Sequence, residues 1–216
     1  MNAPARINRA AVETVLLDLR AEPHLVSRWH AMIGRDERAH AARIRDPRAR
    51  DRFIARRARL RETLAVRLGQ APEEVRIEPD PNGKLVLPDA PWLHFNLSSS
   101  HHLALVALAD VPVGCDIEFR DGALACPKVA ERLFSAREVD ELRALRPDQW
   151  ATGFYNVWTR KEAYVKALGL GLSYPLDRFD VTVTPGAPAA ITRGGEGWRL
   201  LSFQPAPDFQ AAVAIG

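Results

Sequence analysis

The spacing of apolar and polar positions changes several times along the chain, and each change predicts an element. Val12-Glu-Thr-Val-Leu-Leu-Asp-Leu19 alternates loosely and is rich in β-formers, which predicts an opening strand. Helical patterns follow at about Pro23–Met32 and Gly34–Arg43. Pro47 marks a new start, and from Arg48 to Leu68 the residues Phe53, Leu60, Leu64 and Leu68 keep helical spacing. They predict one long helix with a buried stripe, ended by Gly69. Short strands are predicted at Glu74–Glu78, Lys84–Leu87 and Trp92–Leu97, with a turn at Pro79–Gly83. Leu103–Ala109 closes a hairpin with the third of them.

The second half repeats this plan. A strand is predicted at Val111–Phe119, then helices at Pro127–Phe134 and Ala136–Leu145, the latter opened by Ser135 with Glu138 at the capping-box position. A long helix over Asp148–Leu168 and strands at Asp180–Thr184, Gly197–Phe203 and Phe209–Ile215 complete it. The expected fold is therefore α+β, built as two similar halves, 1–110 and 111–216, with the boundary near Asp110–Pro112.

Two stretches break the apolar pattern with charge. In Phe154–Gly169, helical spacing puts Trp158, Glu162 and Lys166 on one face, one turn apart. Such a Glu–Lys pair is commonly a surface ion pair, and such a Trp is commonly packing. In Val113–Phe119, Asp116 and Glu118 share one strand face while Cys115 points the other way, into the core. Together Asp116, Glu118 and Glu162 offer three carboxylates to a hard divalent cation.

Composition narrows the class. The 216 residues are 47% hydrophobic and 26% charged, which is ordinary for a globular chain. No apolar run approaches the ~18 residues of a membrane span. The start, Met1-Asn-Ala-Pro-Ala-Arg6, has no signal-like apolar region, so a cytoplasmic protein is expected. Cys115 and Cys126 lack metal-ligand spacing and are expected to stay reduced. Net charge is only +3, yet arginine crowds Arg28–Arg67, which implies an anionic partner or a solvated helix face. No aromatics interleave with these arginines and no DNA-binding motif is present, so nucleic acid is not expected as a partner.

Both charged stretches match one family. Gly114-Cys-Asp-Ile-Glu118 resembles the G-hydrophobic-D-hydrophobic-E signature of Sfp-type 4′-phosphopantetheinyl transferases. Trp158-Thr-Arg-Lys-Glu-Ala-Tyr-Val-Lys166 resembles that family's W-S/T-x-K-E-A/S-x-x-K signature, and the separation of the two also fits. Asn82-Gly-Lys84 resembles its G-K-P turn, with Leu85 replacing the proline. His94-Phe-Asn-Leu-Ser-Ser-Ser100 resembles its F-N-hydrophobic-S-H-S segment, with Ser99 where the histidine stands. Gly169-Leu-Gly-Leu-Ser-Tyr-Pro-Leu176 resembles its G-x-G-L-S-x-P-L. The likeness runs from about Gly34 to Pro175.

The resemblance implies a pseudo-twofold α+β fold with the active site in the cleft between halves. It implies transfer of the phosphopantetheine arm of coenzyme A to a serine of an acyl or peptidyl carrier protein, releasing adenosine 3′,5′-bisphosphate. The first half would bind the nucleotide through Arg52 and Lys84, with Ser98 and Ser99 at the 3′-phosphate. Because Ser99 carries no charge, His101 or an arginine would compensate, unless His101 is simply part of a surface loop. The second half would hold Mg²⁺ through Asp116, Glu118 and Glu162. Two roles are open to Glu162: ligand only, or also acceptor of the serine proton, directly or through water. Lys166 would serve the leaving phosphate, and Lys161 would contact phosphate oxygens or be a solvated charge. A monomer without membrane attachment is expected. The alternative from another class is a non-catalytic coenzyme A or nucleotide-binding module on the same fold, favoured only by Ser99.

Overall fold

A computed structural model describes residues 6–9, 12–20, 23–171 and 174–216, the backbone alone for 6–9 and 23. Most of the N-terminal stretch used for the targeting argument, and Leu172-Ser173 of the glycine-rich segment, lie outside them. The chain runs β1 (Arg6–Arg9), β2 (Val12–Asp18), α1 (Pro23–Met32), α2 (Arg35–Arg43), α3 (Pro47–Leu68), β3 (Glu78–Pro79), β4 (Leu85–Val86), β5 (His94–Ser100) and β6 (Leu103–Ala109). It continues as β7 (Val113–Phe119), α4 (Pro127–Leu133), α5 (Ala136–Ala144), α6 (Pro147–Leu168), β8 (Asp180–Val181), β9 (Ile191–Arg193), β10 (Arg199–Phe203) and β11 (Phe209–Ile215). This is the α+β fold the pattern predicts.

The two long helices are built alike. Each spans 22 residues, opens on a proline and closes on a left-handed glycine, Gly69 and Gly169, both at φ 68°. Proline suits the first turn because its missing N–H is one that no helix can pair, and glycine takes the left-handed cap without a Cβ clash. The sheets are also connected alike. One is ordered β1-β2-β6-β5 and the other β10-β11-β7. In each, the last strand lies between the first long strand and the penultimate one.

Alternation within the strands stacks these parts in layers. Ala104, Val106 and Leu108 of β6 join Phe53, Ile54, Ala58 and Leu64 of α3 in one core. The opposite face of β6, through Leu103, Leu105 and Ala107, meets Val113, Cys115 and Ile117 of β7 and Ala211 and Val213 of β11 in a second core. A third joins Ala212 and Ala214 of β11 to Phe154, Val157 and Ala163 of α6. The buried, free Cys115 points inward as expected, and burial pushes its thiol up to about 12.

Three expected strands are cut to two paired residues each, Lys84–Leu87 becoming Leu85–Val86. Glu74–Glu78 is mostly unpaired: Pro72–Glu74 form a 3₁₀ turn, and only Glu78–Pro79 pairs, with Leu85–Val86. Asp180–Thr184 reduces to Asp180–Val181, whose partner β9 is joined through a register shift.

The face of β7 turned toward α6 reads Gly114, Asp116, Glu118. Gly114 sets how close helix and strand come. A Cβ there would fall inside the contact radius of the Ala163 carbonyl oxygen and of the Ala167 amide nitrogen and Cα. These are backbone atoms of a helix and cannot rotate away. Gly114→Ala is therefore expected to cost at least the upper end of the ~1–3 kcal/mol typical of overpacking. Urea unfolding would show this as a lowered midpoint, and a midpoint equal to wild type would contradict the packing.

Candidate active site

Along α6, Trp158, Glu162 and Lys166 keep partial exposure while every other residue from 153 to 167 is buried. This is the face the sequence spacing selects. Trp158 stacks on Phe154, ring centroids 6.0 Å apart, and meets Phe134 edge-on, so it packs. Glu162 and Lys166 open toward β7. Lys166 Nζ donates to Asp116 Oδ1 at 2.5 Å and to Ser98 Oγ at 3.1 Å.

The carboxylates on β7 are aimed by β5, which belongs to the other sheet. Alternate residues of β5 reach the unpaired edge of β7. Asn96 Oδ1 accepts from the Cys115 N–H at 2.8 Å. Ser98 Oγ donates to Asp116 Oδ1 at 2.8 Å. Ser100 Oγ donates to Glu118 Oε2 at 2.8 Å and accepts from the Phe119 N–H at 3.1 Å. A ladder of side chains thus stands where a backbone ladder would, and it fixes two acids in the process. Nothing in the β5 sequence alone identifies these partners, which lie 18 or 19 residues on.

The acids repel one another. Burial, then the nearby Asp116 charge, pushes Glu118 up to about 7. Burial and Asp116 also raise Glu162, against the pull of Lys166. Burial alone would lower Lys166, but Asp116 together with Glu162 and Cys115 outweighs it and keeps the ammonium charged. Asp116 Oδ2 is buried without a hydrogen-bond partner. Among the described residues no group of three or more acidic, histidine or cysteine side chains is placed to hold a metal. The Asp116 and Glu162 charges nonetheless both raise Glu118, and Asp116 raises Glu162, while Lys166 occupies Asp116 Oδ1. A hard divalent cation fits this donor set: it would engage the orphaned oxygen and offset the repulsion.

Lys166 also lines a cavity of about 320 Å³ whose other walls include Arg56, Asn82, Lys84, Asn96 and Gly169. Residues of β4, β5 and both long helices therefore line one cleft. Lys84 Nζ bridges its sides, donating to the carbonyls of Val113 at 3.2 Å and Ala167 at 2.9 Å. A second cavity of about 550 Å³ is lined by His40, Arg52, Phe53, Arg56, Ser99 and His101. Arg52, Ser99 and His101, named from the sequence, thus share one wall. Ser98 does not join them. Adjacent strand residues face opposite ways, and Ser98 is turned to Asp116.

Lys161 requires correction. It is neither a solvated charge nor near the cleft. Its side chain is 0% exposed and pairs with Glu138 at 2.8 Å. It also donates to the carbonyls of Leu176 and Phe179. A signal for this existed, since Lys161 follows Val157 by four and Phe154 by seven, on the apolar stripe. Arg56 was not singled out by the sequence; its partner Ser99 is 43 positions away.

Comparison with known proteins identifies the family of the chain. The sequence profile described as the 4′-phosphopantetheinyl transferase superfamily matches residues 112–214. A 4′-phosphopantetheinyl transferase of Nostoc sp., HetI, is 36% identical over 189 residues, covering 86% of this chain and 79% of that protein. A 4′-phosphopantetheinyl transferase of Bacillus subtilis is 37% identical over 123 residues, covering 56% of this chain and 54% of that protein. The transferase Sfp of the same species is 37% identical over 108 residues, and the chain spans 47% of its length. With its two signature stretches meeting in one cleft and its likeness to HetI extending over most of both proteins, this chain belongs to the 4′-phosphopantetheinyl transferase superfamily.

Proposed function

We propose that the protein moves the 4′-phosphopantetheine arm of coenzyme A onto a serine of an acyl or peptidyl carrier protein, with Mg²⁺ as cofactor. The observation that supports this reading is the Lys166–Asp116 pair, which ties α6 to β7 with Glu118 held on the same strand face by Ser100, beside a cavity walled by β5 and α3. The serine oxygen forms a bond to the β-phosphorus of coenzyme A. The pyrophosphate bridge breaks, and adenosine 3′,5′-bisphosphate leaves. Bound Mg²⁺ supplies charge neutralisation for the pyrophosphate oxygens.

This chain's residues do the rest. Asp116, Glu118 and Glu162 hold the cation, and Glu162 or a water beside it takes the serine proton. Lys166 carries charge toward the leaving phosphate. The nucleotide lies in the cleft near Lys84, and the 3′-phosphate occupies the cavity of Arg52, Ser99 and His101. On this reading 1–110 forms the nucleotide-binding half and 111–216 the catalytic half. A pseudo-twofold relates them, and the enzyme works as a cytoplasmic monomer. The assembled acids and lysine weigh against a coenzyme-binding module without turnover.

The test incubates the protein with coenzyme A, Mg²⁺ and a panel of apo carriers, read by mass spectrometry. A gain of one phosphopantetheine on at least one carrier is expected, abolished by chelator. No gain on any carrier contradicts the reading. Ser100→Ala, which frees Glu118, is expected to weaken divalent-metal affinity by about tenfold, as for other groups that orient a ligand. Its effect on thermal stability should be small, and an unchanged metal titration would remove Ser100 from this role.

A further inference from the structure

Arg56 sits between the two cavities and lines both. It projects from α3, half-buried, and Nη1 donates to Ser99 Oγ at 3.1 Å. Its neighbours on the helix are committed elsewhere: Arg57 lies 3.5 Å and Arg61 3.0 Å from Glu37. Arg56 pairs with no carboxylate among the described residues, and its Nε is buried without a partner. Burial and the Arg57 charge both work against its protonated form. A half-buried guanidinium whose hydrogen-bond partner is a neutral hydroxyl is a charge awaiting an anion.

The surroundings indicate which anion. Arg52, His40 and His101 line the second cavity with Arg56, and among the described residues no acid does. Ser99 Oγ accepts from Arg56, so its own O–H is left to donate into the cavity. A planar guanidinium beside a hydroxyl donor matches the oxygens of a phosphomonoester. The first cavity instead leads to Lys166 and the acids. Arg56 is the residue that the two cavities share.

We infer that Arg56 is the residue that recognises the phosphomonoester of the bound nucleotide, and that it supplies the charge Ser99 lacks. This rests on coenzyme A being the substrate, and it assigns selection for the 3′-phosphate to one side chain. His101 is the lesser contributor. It is solvent-exposed and its ring packs on Phe119, centroids 4.3 Å apart.

The experiment compares coenzyme A with 3′-dephospho-coenzyme A by calorimetric titration of the full chain in Mg²⁺. Wild type is expected to prefer coenzyme A by at least about tenfold, the scale of one charge-assisted hydrogen-bonded contact. Arg56→Ala should lose that preference, binding coenzyme A about 10–100-fold more weakly while leaving the dephospho form within about twofold. Arg56→Lys should keep part of the preference, and circular dichroism checks that both variants are folded. If Arg56→Ala retains the preference, or weakens both ligands equally, the assignment is overturned while the transfer reading stands. A wild type that binds both ligands alike overturns it too, with transfer still judged by carrier mass. A wild type that binds neither overturns both.

Discussion

Asp116→Asn should lower kcat/KM for carrier modification by about a thousandfold or more, roughly 4 kcal/mol of transition-state stabilisation. Asp116 is 1% exposed and stands at the centre of the site, bonded to Ser98 and Lys166 through Oδ1 with Oδ2 unpartnered. The amide has the same shape and still accepts from Ser98, so the fold is retained. What is lost is the charge that anchors the cation and orients Lys166. The side chain of Lys166 is 29% exposed, so its freed ammonium can turn into the cleft instead of being stranded. The measurement is steady-state transfer together with a thermal melt. Turnover within tenfold of wild type would remove Asp116 from the reaction.

Lys161→Ala should act in the opposite way, on stability. Deleting one member of a buried pair typically costs about 3–5 kcal/mol, because the other charge is left behind. Here the stranded group is Glu138, whose side chain is 1% exposed. Glu138 also caps α5 through the Ser135 N–H at 2.9 Å and accepts from the Val181 N–H at 2.8 Å. One pair therefore ties α5 and β8 to α6. Against marginal total stabilities of ~5–15 kcal/mol, that loss is large. A urea midpoint close to wild type, with a raised KM for coenzyme A, would instead return Lys161 to a phosphate-binding role. Replacing both partners by apolar residues, Lys161→Met with Glu138→Leu, should recover part of the stability.

Local periodicity made much of this fold legible. The strands Leu103–Ala109 and Phe209–Ile215 and the helix Pro23–Met32 fall where the pattern places them. The Trp158–Glu162–Lys166 face and the Asp116–Glu118 face were readable because each needs only the period of its own element. β1 was not anticipated, because Arg6-Ile-Asn-Arg9 has no apolar alternation. β9 was missed for its brevity, three residues in all. The roles of Ser98, Ser100 and Arg56 depend on partners 18 to 43 positions away, and no local rule supplies those. Lys161 is a different kind of miss. Its place on the apolar stripe was visible, but the family signature groups it with Lys166, and helix geometry turns the two apart.

The central claim is that acids from a strand and from a helix distant in sequence share one divalent cation. Electron paramagnetic resonance of Mn²⁺, titrated into the protein with coenzyme A present, tests it most directly. Asp116→Asn, Glu118→Gln and Glu162→Gln should each weaken binding by at least about tenfold, as expected when an oxygen ligand loses its charge. Wild-type Mn²⁺ affinity in all three variants would contradict it.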